Sequence, residues 1–156
     1  NGTRNKKVSY RKRFLRDNQL GICDIVASCY RKKIDASDLG MTRIRLRDLL
    51  QQLRKHRELN TIIFTGGNSK NGPEYLFRRQ LRDHDLRLTP INEQIPKKHI
   101  FQYLGREITT IALTSPSNAA NRAIGSTALY KKRKAANPEY TTFDYRIEQY
   151  REVFLS

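Results

Sequence analysis

Acidic residues are scarce in this chain: 15 Asp and Glu stand against 31 Lys and Arg in 156 residues, a formal net charge of +16 with an isoelectric point near 10.2. Solubility does not require such an imbalance, so it predicts a polyanionic partner. Long apolar runs are missing as well. None approaches the ~20 residues of a spanning helix, and the cations are spread through patterned segments, which favours nucleic acid over lipid and predicts no membrane association. Cysteine is limited to Cys23 and Cys29, which form no C-x-x-C pair; neither zinc nor a disulfide framework is indicated, and reduced, buried thiols are expected. Asn1 to Arg13 is polar and basic without the apolar core of a signal peptide, consistent with an intracellular, DNA-associated protein. Internal repeats and low-complexity tracts are absent, and the length suits one domain over residues 1–156.

The chain begins with a polar stretch, Asn1 to Lys7, that reads as a flexible start or the end of a loop. Val8 to Asn18 reads as a basic helix with Phe14 and Leu15 turned inward and Gly21 as its stop signal. Ile22 to Ala27 reads as a buried strand interrupted by Asp24, a carboxylate that costs several kcal/mol inside hydrocarbon unless it is hydrogen-bonded or at an open strand end. Either it caps a backbone turn or it faces a site. Tyr30 to Thr42 looks like a surface loop. From Ile44 to Leu59, the spacing of Leu46, Leu49, Leu50 and Leu53 predicts a packing helix. Thr61 to Thr65 predicts a strand, Gly66-Gly67-Asn68 a turn, and Pro73-Glu74 a helix start, together a β-turn-α unit typical of parallel sheets. The glycines with Lys70 do not have the spacing of a nucleotide-binding phosphate loop. Asp83 to Lys98 is irregular. Ile100 to Leu104 and Ile108 to Leu113, joined around Gly105-Arg106, predict a hairpin. Ala119 to Ala136 reads as one helix ending in Lys131-Lys-Arg-Lys134. Phe143, Ile147, Tyr150 and Phe154 then mark the inward stripe of a closing helix capped by Thr141 or Thr142.

Leu113 to Arg122, Leu-Thr-Ser-Pro-Ser-Asn-Ala-Ala-Asn-Arg, is the stretch around which these elements are organised. Hydroxyls, a rigid proline and amides gather where a strand hands over to a helix, with Ser117 or Asn118 as N-cap, a place suited to holding a phosphate. A capped turn with no ligand fits the same residues.

Three stretches then carry a likeness. Leu20-Gly-Ile-Cys-Asp-Ile-Val-Ala-Ser-Cys29, Thr61-Ile-Ile-Phe-Thr-Gly-Gly67 with the Tyr75-Leu-Phe-Arg-Arg79 helix, and Leu113-Thr-Ser-Pro-Ser-Asn-Ala-Ala-Asn121 resemble the uracil-DNA glycosylase superfamily, closest to its hypoxanthine-DNA glycosylase-like branch. The likeness spans roughly Ser9 to Val153, and the third motif is the most specific. It implies an α/β fold, a three-layer α/β/α sandwich with a central, mainly parallel sheet. It also implies a DNA repair enzyme of base excision repair, a monofunctional hydrolase that flips a deaminated or damaged base and cleaves its N-glycosidic bond without metal or cofactor, acting as a monomer on double- or single-stranded DNA.

By the same resemblance the third motif pinches phosphates and wedges into the gap left by the flipped base. Backbone contacts are thus implied for Thr114, Ser115, Pro116, Ser117, Asn121 and Arg122, with Asn118 or Ala119 nearest the wedge and Lys131 and Lys132 following. Asp24 falls on the base-reading position, expected at the carboxyl end of its strand beside Ser115. Uracil glycosylases carry asparagine there; an ionised aspartate only accepts hydrogen bonds, which suits a deaminated purine at least as well as uracil. The superfamily's first motif, of the type G-x-[DN]-P or G-[ST]-F-P, has no counterpart among Pro73, Pro90, Pro96, Pro116 and Pro138. Two expectations stand: a segment upstream of Asn1 supplies the missing catalytic motif, or the chain is a noncatalytic nucleic-acid-binding relative.

Overall fold

The computed structural model describes residues 2–35 and 37–156; Asn1, and Ala36 within the expected 30–42 loop, lie outside the described residues. Helix α1 spans Gly2–Asp17, so helix replaces the polar start expected before Val8. It ends where Gln19, with φ of 53°, takes the left-handed conformation, while Gln19 and Leu20 donate their N–H groups to Arg16 and Leu15. This closure satisfies the last carbonyls and leaves Gly21 no capping role. Phe14 is exposed rather than inward.

Strand β1 is Val26–Arg31, not the buried 22–27 run: Ile22 and Cys23 are exposed, Cys29 is half-buried, and both thiols are free. Its partner β2, Met41–Leu46, pairs antiparallel with it, forming a two-stranded ribbon with irregular register near Ser28. Helix α2 therefore starts at Leu49, not Ile44, and runs Leu49–Lys55. Asp48 sets that boundary by accepting from the Gln51 N–H, and Gln80 reinforces it by accepting from Leu49 N–H while donating to the Arg47 carbonyl, at 2.9 and 2.8 Å. The other end of α2 is capped by the Arg106 guanidinium, which donates to the carbonyls of Leu53, Arg57 and Leu59. A cation there satisfies orphan acceptors and opposes the negative end of the helix dipole.

The remaining strands are β3 Thr61–Phe64, β4 Thr89–Pro90, β5 Lys97–Tyr103 and β6 Arg106–Ala112, in the order β3-β6-β5-β4. Only β3 and β6 are parallel; β5 is antiparallel to both neighbours. The expected three-layer sandwich with a central, mainly parallel sheet is thus replaced by an α/β arrangement of two small sheets, one of them mixed. Its cause is local. Leu104 and Gly105 both have positive φ, 51° and 75°, forming a two-residue hairpin turn that compels antiparallel pairing of β5 with β6.

The β-turn-α unit forms as its residues predict, with α3 at Pro73–Arg82. A Cβ on Gly72 would lie 2.6 Å from the Gly67 carbonyl, so the close approach in this loop requires glycine. Phe77 of α3, fully buried, sits 5.3 Å from Phe64 and 5.7 Å from Phe101, ring centre to ring centre, and Leu50, Leu53, Leu76, Leu81 and Ile108 complete the core. The expected continuous helix over 119–136 is broken into α4, Asn121–Ser126, and α5, Ala128–Ala136. Thr127 is the break: its hydroxyl donates to the Ile124 carbonyl and accepts from the Tyr130 N–H, closing one helix and opening the next. Helix α6, Thr142–Leu155, begins with a reciprocal Thr141–Asp144 capping box. Its predicted apolar stripe is partly outside, with Phe143 66% exposed, because Tyr145 and Gln149 take the buried face.

Candidate nucleic-acid interface

Because β3 and β6 run parallel, their carboxyl ends lie at one edge of the sheet. Leu113, buried just after β6, donates its N–H to the Phe64 carbonyl at 2.8 Å and extends the pairing by one rung. The Thr65–Gly72 and Thr114–Ala120 loops therefore leave the same edge, where open α/β sheets gather ligands.

Helix α6 holds the second loop from behind. Gln149 accepts from the Thr114 N–H at 2.7 Å, and the Tyr150 hydroxyl donates to the Thr114 carbonyl at 2.9 Å. The Arg146 guanidinium donates to the carbonyls of Ser115 and Ser117, both at 2.8 Å, and to the Asn121 side-chain oxygen at 2.9 Å. Within the loop, Ser115 Oγ accepts from the Ser117 N–H and Ser117 Oγ from the Ala119 N–H, each at 3.2 Å. Ser117 is thus the N-cap, but of a 3-10 turn over Asn118–Ala120 rather than of a long helix. Burial pushes the Tyr150 phenol up, with Arg146 opposing, so it stays a neutral donor.

This bonding sorts the loop's polar groups. Carbonyls of Thr114, Ser115 and Ser117 are turned to α6, whereas Pro116, Ser117, Asn118 and Ala119 are exposed. Each serine hydroxyl already accepts, so the hydrogen it has to give is open to an outside acceptor. Ser115 and Asn121 are half-buried and Arg122 is exposed beside them. The N–H groups of Thr114, Ser117, Ala119 and Ala120 are spent within the protein, so the two hydroxyl hydrogens with the exposed Asn118 and Arg122 are what the loop offers an anion.

The basic run on α5 divides in two. Arg133 makes a bidentate pair with Glu148, 2.6 Å at its shortest, and Lys134 donates to the carbonyls of Pro138 and Tyr140 at 2.5 and 2.9 Å. Arg133 first and the Tyr140 hydroxyl second hold the Glu148 carboxyl below its ordinary range. Lys131 and Lys132 are exposed and take part in no ion pair among the described residues.

Asp24 lies elsewhere than expected. It precedes β1 by two residues, is exposed, and its Oδ1 accepts from the Val26 N–H at 2.9 Å, closing a turn at the strand's amino end instead of standing at its carboxyl end. It lines a cavity of about 210 Å³ with Arg31, Asp38, Asn71 and Pro73 among others, and the lining includes no residue of the 113–122 loop. Burial raises the Asp38 carboxyl there, Arg31 opposing and Asp24 adding. The cavity still borders the same sheet edge, since a Cβ on Gly66, two residues past β3, would meet Pro73 Cδ at 2.9 Å.

The structure thus brings Ser115, Ser117, Asn118, Asn121 and Arg122 together and keeps Asp24 in a separate cavity. Sequence reasoning passes over Arg146 and Gln149 and reads Tyr150 only as part of the apolar stripe; the one signal is the i, i+3, i+4 spacing of their polar groups on that helix. Among the described residues no cluster of His, Cys, Asp and Glu could hold a metal ion, and no helix is long and apolar enough to cross a membrane. Comparison with family models, with curated proteins and with solved structures finds no significant match to this chain.

Proposed function

We propose that this chain is a DNA-binding domain of the uracil-DNA glycosylase kind, which grips DNA by the Thr114–Arg122 loop and excises a flipped, deaminated or damaged base. The observation that carries the reading is the pair of serine hydroxyls with exposed Asn118 and Arg122 on that loop, held by Arg146, Gln149 and Tyr150 at the carboxyl edge of the parallel pair. Phosphate oxygens only accept, so they complement it. Serine is a phosphate clamp in this reading and not a nucleophile. Cleavage breaks the bond between C1′ and the base nitrogen, the electron pair leaves with the base, and water supplies oxygen to C1′ and a proton to the base. The Asp24 cavity is the place assigned to the extruded base, with the second carboxylate oxygen of Asp24 accepting from its N–H groups.

A second reading, a noncatalytic DNA-binding module, is favoured by one observation: Asp24 is engaged in its own backbone turn, and its cavity shares no residue with the loop. Duplexes carrying one uracil, hypoxanthine or xanthine separate the two. Release of free base, with a substrate ratio altered by Asp24→Asn, supports excision; binding without release from any of them supports the module. Failure to bind DNA at all defeats both.

A further inference from the structure

We infer that the β1–β2 ribbon is a second contact surface for the phosphate backbone of duplex DNA, flanking the one at the Ser-Pro-Ser loop; the inference rests on the reading of that loop as DNA-binding. The segment Arg43-Ile-Arg-Leu-Arg47 alternates basic and apolar residues. On the strand Ile44 and Leu46 pack against the core while Arg43, Arg45 and Arg47 are exposed. From Ile44 to Arg47 such alternation puts Arg45 and Arg47 opposite the packed Ile44 and Leu46, while Arg43, with φ of 49°, is exposed at the irregularity between the Ser28–Arg45 and Tyr30–Thr42 pairs. Register opposes Arg45 with Ser28 and places the exposed Tyr30 on the neighbouring strand, and Lys32 and Lys33 extend the basic surface past its end.

Arg31 apart, which pairs with Asp35, the charge on this ribbon is unspent. Arg13, Arg31, Arg54, Arg78 and Arg133 each pair with a carboxylate, whereas Arg43, Arg45, Arg47, Lys32 and Lys33 make no ion pair among the described residues. Arginine forks match phosphate bidentately, and a two-stranded ribbon is one of the elements that the DNA major groove admits. The ribbon is also tied to the sheet edge that carries the loop. The Asn71 side chain, in the turn after Gly66-Gly67, donates to the carbonyls of Asp38 and Met41 at 3.0 and 3.2 Å, so ribbon and loop are positioned by one framework. An anionic lipid surface would meet the same charges, and exposed Ile34 and Leu39 lie in the β1–β2 connection; arginine forks on paired strands favour duplex phosphate, and lipid binding is one outcome of the test.

Equilibrium binding to a duplex of about two helical turns, measured across a salt series, tests this. The triple variant Arg43→Gln, Arg45→Gln, Arg47→Gln should reduce the slope of log affinity against log salt by roughly 0.9 for each phosphate it no longer neutralises, and the corresponding triple lysine variant should retain it. Ser115→Ala with Ser117→Ala removes no charge, so it should weaken binding with the slope unchanged. An unaltered slope and affinity in the glutamine variant, beside weakened binding in the serine variant, overturns the ribbon and leaves the loop. The reverse result overturns the loop and leaves the ribbon; a wild type that binds no duplex overturns both. Loss of binding to phosphatidylserine vesicles, with duplex binding intact, reassigns the ribbon to lipid and also overturns it. Should the glutamine variant melt below wild type, hydrogen exchange on wild type decides: added duplex slows the β1–β2 amides if the inference holds and leaves them unchanged if it fails.

Discussion

Arg146 holds Ser115 by its backbone: the guanidinium Nε donates to the Ser115 carbonyl at 2.8 Å, while the serine hydroxyl accepts from the Ser117 N–H. Its other nitrogens reach Ser117, Asn121 and Thr142, so one side chain fixes both serines. Arg146→Met should therefore loosen the loop without removing an exposed cation. The expected outcome is a stability loss of roughly 2–3 kcal/mol, from carbonyls left without a charged donor, together with weakened DNA binding at an unchanged salt slope. A slope that falls by about one would instead make Arg146 a phosphate ligand.

The α5 run separates into exposed Lys131 and Lys132, which the proposed function turns to DNA, and the bonded Arg133 and Lys134. Lys131→Gln with Lys132→Gln should flatten the salt slope of duplex binding by up to roughly 1.8, the equivalent of two phosphates, and leave the melting temperature unchanged. Arg133→Gln should do the opposite, since it strips Glu148 of its partner and neutralises no phosphate. Equal slopes for the two variants would contradict this division.

His99 is buried on β5, with Nε2 2.9 Å from Arg78 Nη2 and Nδ1 4.0 Å from Glu74. Arginine can only donate, so Nε2 accepts and the ring is neutral. Burial is the main cause that lowers its basicity, Arg78 and Lys97 add to it, and Glu74 opposes. A folded-state pKa below the unfolded value of about 6.5 means stability is complete above that value and declines as pH falls through the folded one. Melting temperature should thus drop between pH 7 and pH 5, and His99→Gln should flatten that drop. Parallel pH profiles for the two proteins would remove His99 as its source.

Gln80 spends both ends of its side-chain amide on the junction of β2 with α2. Gln80→Ala leaves the Leu49 N–H and the Arg47 carbonyl short of partners at a largely buried position. Denaturant unfolding should register a loss of roughly 2–3 kcal/mol. A change within 0.5 kcal/mol, about the range of an ordinary surface substitution, would show that water replaces the amide there.

What could be read in advance was what local chemistry decides. Thr61 to Arg82 reads as a strand, a glycine turn and a proline-started helix; Thr141 or Thr142 reads as a cap; the hairpin around Gly105 reads from two apolar runs and a glycine. The 41–53 region misled because two periodicities overlap there: Leu46 joins Leu49, Leu50 and Leu53 at helical spacing, while Arg43, Arg45 and Arg47 alternate with Ile44 and Leu46 at strand spacing. Pairing with β1 and the Asp48 cap decided for strand up to Leu46. A mainly parallel sheet does not form because β1 pairs antiparallel with β2 in a sheet of its own and β5 runs antiparallel to both neighbours. In the loop, Ser115 and Ser117 stood out by composition alone. The side chains that hold them did not, because Arg146, Gln149 and Tyr150 lie some 30 residues away and gain meaning only when α6 packs behind β6.

The central claim is that Ser115 and Ser117 hold DNA phosphate. Duplex affinity of wild type against Ser115→Ala with Ser117→Ala, at one matched salt concentration and with melting curves alongside, tests it most directly. The account predicts a loss of roughly 1 kcal/mol per hydroxyl, about fivefold each, in a domain that still melts cooperatively and is lowered only by the lost Ser115 and Ser117 turn bonds. Equal affinity for the two folded proteins would contradict it and leave the loop a capped turn.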